Sequence, residues 1–135
     1  MSINGAPSGA GVRVLVADDT AHVRRVLVEM LTLDGFDIVA EAADGAEAVR
    51  LTLEAAPHVV VMDLQMPLMD GLEATRQIRL ERPAQQVVLY TAYVDEAVQT
   101  AAREVGVAVV LGKVEGLPRL AQELARLTLS AARRS

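Results

Sequence analysis

Five times along the chain, a short run rich in Val, Ile and Leu gives way to a longer segment whose apolar residues recur at helical spacing. The runs are Val12–Ala17, Phe36–Glu41, His58–Met62, Gln86–Thr91 and Val107–Leu111, and the segments are Ala21–Leu33, Ala46–Ala55, Leu72–Leu80, Asp95–Val105 and Pro118–Ala132. Apolar residues fill successive positions of the runs, so both faces of each strand need cover. A parallel sheet with helices on both sides provides it. The strand-helix-strand units must then cross over right-handedly. The expected fold is therefore α/β, a doubly wound five-stranded parallel sheet. The orders open to five strands include 2-1-3-4-5, which sets strands 1 and 3 side by side with the switch point between them.

Local punctuation agrees with this reading. Asp44 with Glu47 and Asp70 with Glu73 fit an acidic capping box ahead of a periodic run. Pro118 suits a first helical turn, Gly35 and Gly106 suit helix C-caps, and Pro57 and Pro83 fall in returns from helix to strand. With 135 residues the chain has the size of one domain. We expect a disordered tail over residues 1–11 and a single domain over 12–133, with no output domain in the chain. The opening MSINGAPSGAG has neither the basic nor the apolar region of a secretory signal.

Composition narrows the function classes. No apolar run approaches the roughly 18 residues that a membrane span needs. Net charge is −5 and the aromatics are Phe36, Tyr90 and Tyr93, which argues against direct nucleic-acid binding. The chain has no cysteine, hence no disulfide and no thiolate metal site, which fits a cytoplasmic location.

In a sheet of this kind, ligands bind outside the carboxyl ends of the strands. Strand 1 delivers Asp18 and Asp19 there, strand 3 Asp63, strand 4 Thr91 and strand 5 Lys113, while strand 2 brings Glu41 from the far side of strand 1. Carboxylates from adjacent strands repel unless a cation sits among them, and an all-oxygen set suits Mg²⁺. A carboxylate beside Mg²⁺ can serve as nucleophile toward phosphorus. The Thr91 hydroxyl and the Lys113 ammonium could then each meet a phosphoryl oxygen. Of thirteen basic residues twelve are Arg, and the one Lys is Lys113, a compact point charge at the end of strand 5.

These residues lie in VADD (16–19), MDLQMPLMDGLEATRQIR (62–79), YTA (90–92) and GK (112–113), and together the segments resemble a response-regulator receiver domain of two-component signalling, in the CheY-like superfamily. DGFDIVAEAADGAEAVRL (34–51) is similar to receivers attached to helix-turn-helix outputs. The resemblance runs from Val12 to about Arg133 and implies a flavodoxin-like fold. It implies Asp63 as phosphoacceptor, and Thr91 and Lys113 on the phosphoryl oxygens. Asp19, Asp63 and the Gln65 backbone carbonyl would bind Mg²⁺, with Asp18 acting directly or through water. The phosphodonor would be a sensor histidine kinase or a phosphotransfer protein. Such a domain catalyses only its own phosphoryl transfer and dephosphorylation, then passes a shift of the strand 4 to strand 5 face to a downstream protein. A homodimer through the helix 4–strand 5–helix 5 face is the usual one among relatives.

Two positions depart from the pattern. Val110 stands where relatives carry a rotating aromatic, and Val114 replaces the proline after the lysine, which often follows a cis peptide. An alternative reading follows: a pseudo-receiver acting as a constitutive interaction module. Tyr93 and Gln65 occupy positions that tune phosphate lifetime in the family, and their bulk is expected to slow hydrolysis. An aspartyl-phosphate hydrolase would want a second acid at position 65, which is Gln, and no Gly-rich loop after strand 1 supports nucleotide binding. His22 and His58 read as a helix-surface residue and a residue leading into a strand, and Asp19 doubles as a helix N-cap candidate. Met62, Met66 and Met69 read as packing, and Arg126, Arg133 and Arg134 as complements to a helix C-terminus.

Overall fold

The computed structural model describes residues 9–134, with side chains through Leu129. The elements run β1 (Arg13–Ala17), α1 (Ala21–Leu33), β2 (Asp37–Ala42), α2 (Gly45–Ala55), β3 (Val59–Met62), α3 (Gly71–Glu81), β4 (Gln86–Thr91), α4 (Glu96–Val105), β5 (Val109–Gly112), a 3₁₀ turn at Lys113–Glu115, and α5 (Leu117–Arg134). All pairings are parallel, in the order β2-β1-β3-β4-β5. The expected architecture and order hold.

Side chains alternate along each strand, so every strand feeds two cores. Val14 and Val16 of β1, Val59 and Val61 of β3, and Val88 and Tyr90 of β4 pack under Leu27 and Leu31 of α1 and Leu120 and Leu124 of α5. Leu15, Val60, Met62, Val87 and Leu89 point the other way, onto Ala48 of α2, Ala74 and Ile78 of α3, and Ala102 of α4. This double burial accounts for the unbroken apolar runs.

The helix starts differ from expectation in detail. Asp44 accepts from the Glu47 amide, and the Glu47 carboxylate returns to the Ala43 amide, one residue before the cap. Asp70 accepts from the Glu73 amide, but the Glu73 carboxylate turns outward to Arg76 and Gln77, so that box stays open. Hydrogen bonds from Arg76 and then Gln77 hold the Glu73 carboxyl down at about 2. Asp95, expected inside α4, is its N-cap and accepts from the Val98 amide. β5 begins at Val109 instead of Val107, because residues 107 and 108 carry the chain back to the sheet from the left-handed Gly106. α5 starts at Leu117, so Pro118 does fall in its first turn. The expected tail overlaps the described residues at Gly9–Gly11, where Gly9 donates to the Asp34 carbonyl at 3.0 Å and Val12 to the Gly9 carbonyl at 3.0 Å. Those three residues are therefore tied to the fold, and the rest of the tail, with the Arg133 and Arg134 side chains, lies outside the described residues.

Candidate functional site

The sheet itself places the first two carboxylates. The Asp63 amide donates to the Ala17 carbonyl at 2.9 Å, and the Asp18 amide to the Ala42 carbonyl at 3.0 Å. The ladder thus continues one rung past β1 and β3. Helix α3 presses on this end of the sheet: a Cβ on Gly71 would lie 2.2 Å from the Asp63 carbonyl oxygen, so the residue after the Asp70 cap has no room for a side chain.

Oxygens of Asp18, Asp19 and Asp63 lie within 4.8 Å of one another. Asp18 and Asp63 are buried and Asp19 is exposed. The Lys113 ammonium bridges the buried pair, 2.8 Å from Asp18 Oδ2 and 3.1 Å from Asp63 Oδ2. Thr91 is buried at the end of β4, opposite Gly112 in the register, and its side chain makes a minor contribution that lowers the Asp63 carboxyl. Gln65 lies two residues beyond Asp63 with an exposed side chain.

The electrostatics follow from this packing. Burial raises the Asp63 carboxyl above its ordinary value; Lys113 pulls it back by charge and hydrogen bond, Asp18 pushes it up again, and the Thr91 hydroxyl lowers it. Burial alone would push Lys113 down, but the bonds and charges of Asp18 and Asp63 outweigh it and leave the ammonium above its ordinary value. The lysine is therefore a firmly charged counterion at neutral pH. Three clustered carboxylates with one ammonium still carry excess negative charge, and their all-oxygen donor set fits a hard divalent cation.

Asp18 is tied down further. Its Oδ1 accepts from the Thr20 amide at 2.9 Å, and its backbone carbonyl accepts from Arg24 Nη1 at 2.6 Å. The helix-cap role considered for Asp19 is not filled: Thr20 is the N-cap of α1 with no side-chain cap bond, and the Asp18 carboxylate turns back onto the Thr20 amide ahead of the helix while Asp19 is exposed. The Arg24 side chain also reaches Glu41, 3.3 Å away, so Glu41 is paired with it. Arg24 was missed in the sequence, although one signal existed. A cation near a helix N-terminus opposes the macrodipole, so its presence wants another reason.

The remaining candidates are peripheral. His22 is exposed on α1, and the His58 Nδ1 accepts from the Arg13 amide at 2.9 Å at the opposite, amino end of the sheet. Neither joins the acidic cluster. Val110 is half-buried against the α2–α3–α4 core, whereas Val114 is 93% and Tyr93 68% exposed. The described residues contain no cis peptide bond, so the turn after Lys113 is all trans.

A model of the response regulator receiver domain matches residues 14–125. The chain is 47% identical over 108 residues to a protein-glutamate methylesterase/protein-glutamine glutaminase of Myxococcus xanthus, covering 78% of this chain and 30% of that protein. It is 44% identical over 101 residues to the transcriptional regulatory protein PdtaR of Mycobacterium tuberculosis, covering 75% and 49%. The chain thus spans less than half the length of these curated relatives. The solved receiver domain of the response regulator NarL from Mycobacterium tuberculosis superposes with a TM-score of 0.78 at 31% identity, covering 92% of this chain and 98% of that one. The acidic crevice, the sheet order and the family match agree: the chain belongs to the response regulator receiver domains.

Proposed function

We propose that residues 12–133 form a receiver that accepts a phosphoryl group on Asp63 from the phosphohistidine of a sensor histidine kinase or phosphotransfer protein. The P–N bond to the donor imidazole breaks as an Asp63 oxygen forms the new P–O bond, and the imidazole leaves with a proton. Asp18, Asp19, Asp63 and the Gln65 carbonyl would hold Mg²⁺, which offsets charge on the transferring oxygens when bound. Lys113 and the Thr91 hydroxyl take up the other two. The observation that carries this reading is the position of the Lys113 ammonium, already within hydrogen-bonding reach of the Asp63 carboxylate. A group poised there meets the developing charge with little reorganisation.

The new dianion then biases the β4–β5 region and exposes a changed surface to a downstream protein or a second copy, through the α4–β5–α5 face. A second reading is a pseudo-receiver acting as a constitutive interaction module. It is favoured by Val110, whose half-buried side chain has no ring to swing as Thr91 moves.

Acetyl phosphate or phosphoramidate with Mg²⁺ should add about 80 Da, one phosphoryl group, to the intact mass. The Asp63→Asn variant should gain nothing. An unmodified wild-type mass under both donors would leave the interaction-module reading standing.

A further inference from the structure

Lys113 stands at a junction that few bonds hold. β5 is the sheet edge, so the backbone groups facing away from β4 have no strand beyond them. After Gly112 the chain makes a single 3₁₀ turn, closed by one bond from the Gly116 amide to the Lys113 carbonyl at 3.2 Å. Short 3₁₀ turns have poor hydrogen-bond geometry and need outside support. Here the support comes from Glu115. Its Oε2 accepts from the Gly112 amide at 3.0 Å, closing the turn from the strand side, and its other oxygen faces Arg119 Nη1 at 3.7 Å in α5. One carboxylate thus ties the strand end before Lys113 to the helix after it.

We infer that Glu115 is a positioning residue for Lys113: by clamping the Gly112 amide it fixes the Cα from which the lysine reaches Asp18 and Asp63. A lysine has four rotatable side-chain bonds, so its ammonium stays in the crevice only if its backbone origin is constrained. Every peptide in the turn is trans, and the residue directly after Lys113 is Val114, not proline. The stiffness a proline ring would give is therefore supplied by a side-chain acceptor. Nothing in the GKVEG pattern flags this, because Glu115 is separated from the strand end by three positions and reads as a solvated acid.

The kinetic part of this inference rests on the proposed phosphoryl transfer; the structural part does not. The test uses the whole chain as wild type, Glu115→Ala and Glu115→Gln. The Glu115 side chain is 40% exposed, so its truncation leaves the core intact. Gln keeps an oxygen able to accept the Gly112 N–H and discards only the charge. Because Lys113 is the sole lysine, ¹³Cε-lysine labelling gives one NMR signal that reports it alone. Glu115→Ala should move that signal toward the free-lysine position and slow phosphorylation by phosphoramidate about tenfold, while Glu115→Gln restores both to within a factor of about three. An unmoved lysine signal in Glu115→Ala would overturn the inference, as would equal losses in the Ala and Gln variants. Wild-type protein that takes up no phosphoryl group while the lysine signal shifts as described would instead overturn the proposed function and leave the clamp in place.

Discussion

Lys113 lies fifty residues from Asp63 in sequence, yet its ammonium stands 3.1 Å from that carboxylate and shares itself with Asp18. Each buried acid lowers the cost of the lysine's burial, and the lysine keeps two acids from confronting each other. Truncating it to Met should therefore destabilise the fold at neutral pH by about 1–2 kcal/mol, less than a fully buried pair costs because the site is partly open to water. The loss should shrink in acid as the carboxylates protonate. Adding Asp63→Asn to the Met variant should recover much of it, since only one buried carboxylate then remains. A double-mutant cycle by urea denaturation measures this coupling.

Asp63 by itself gives a pH dependence of definite sign. Burial raises its carboxyl above the ordinary value of 3.8, so the folded state binds the proton more tightly than the unfolded state. The stability contributed this way is full below 3.8 and is lost as pH climbs through the raised value. Asp63→Asn removes that loss. Without divalent ions the variant should melt level with wild type near the acid end and pull ahead above it, by a few degrees if the gain is about 1 kcal/mol. Thermal melts from pH 3.5 to 8 measure it, and a variant that melts lower throughout contradicts the sign.

Divalent ion should reverse that order. If Mg²⁺ binds the acidic cluster of the folded chain alone, saturation at a hundred times Kd adds about 2.7 kcal/mol. Wild type should gain in melting temperature on titration with Mg²⁺, and chelation should return it to the starting value. Asp19→Asn should lose most of the gain, because Asp19 is the acid of the cluster with no cation of its own in the described contacts.

Most of the fold could be read from the sequence because double burial leaves a plain mark: Val14, Leu15 and Val16 are all buried, and no half-exposed strand would be written that way. The convergence of Asp18, Asp63 and Lys113 was legible for a related reason, since parallel strands deliver their next residues to one edge. The contacts that refine the site were not legible. Arg24 on Asp18 and Glu115 on Gly112 depend on where long side chains fold back, which no periodicity encodes. Gly71 simply follows the Asp70 cap in sequence, and nothing there signals how closely α3 approaches the Asp63 carbonyl.

The loop between β3 and α3 carries one strained residue. Leu68 has φ of 71° and is 86% exposed, so it bears the steric cost of a left-handed backbone with little burial to offset it. That cost is about 1–2 kcal/mol for a residue with a Cβ, against some 0.5–1 kcal/mol of extra unfolded-state entropy for glycine. Leu68→Gly should therefore stabilise the protein by about 0.7 kcal/mol, about 1.5 at most, and Leu68→Ala should gain nothing. Denaturant midpoints of the two variants separate backbone strain from the removal of an exposed apolar side chain.

Tyr93 follows Thr91 by two residues on the loop into α4, and its ring is largely exposed above the carboxyl end of the sheet. Hydrolysis of a phosphoryl group on Asp63 requires water in line with the P–O bond, on the side open to solvent. We propose that the Tyr93 ring and the Gln65 side chain, two residues beyond Thr91 and Asp63, border that approach and reduce the fraction of time a water is aligned. Such steric obstruction is worth a fraction of a kcal/mol to about 1 kcal/mol, which is a few-fold in rate. Tyr93→Ala should shorten the lifetime of the phosphorylated form by a few-fold, and Gln65→Ala should add to it. Phosphate release after rapid removal of the donor gives the decay constant. Thermal stability should stay unchanged, since neither side chain is buried, and a decay constant equal to wild type in the double variant would remove any role for the two side chains.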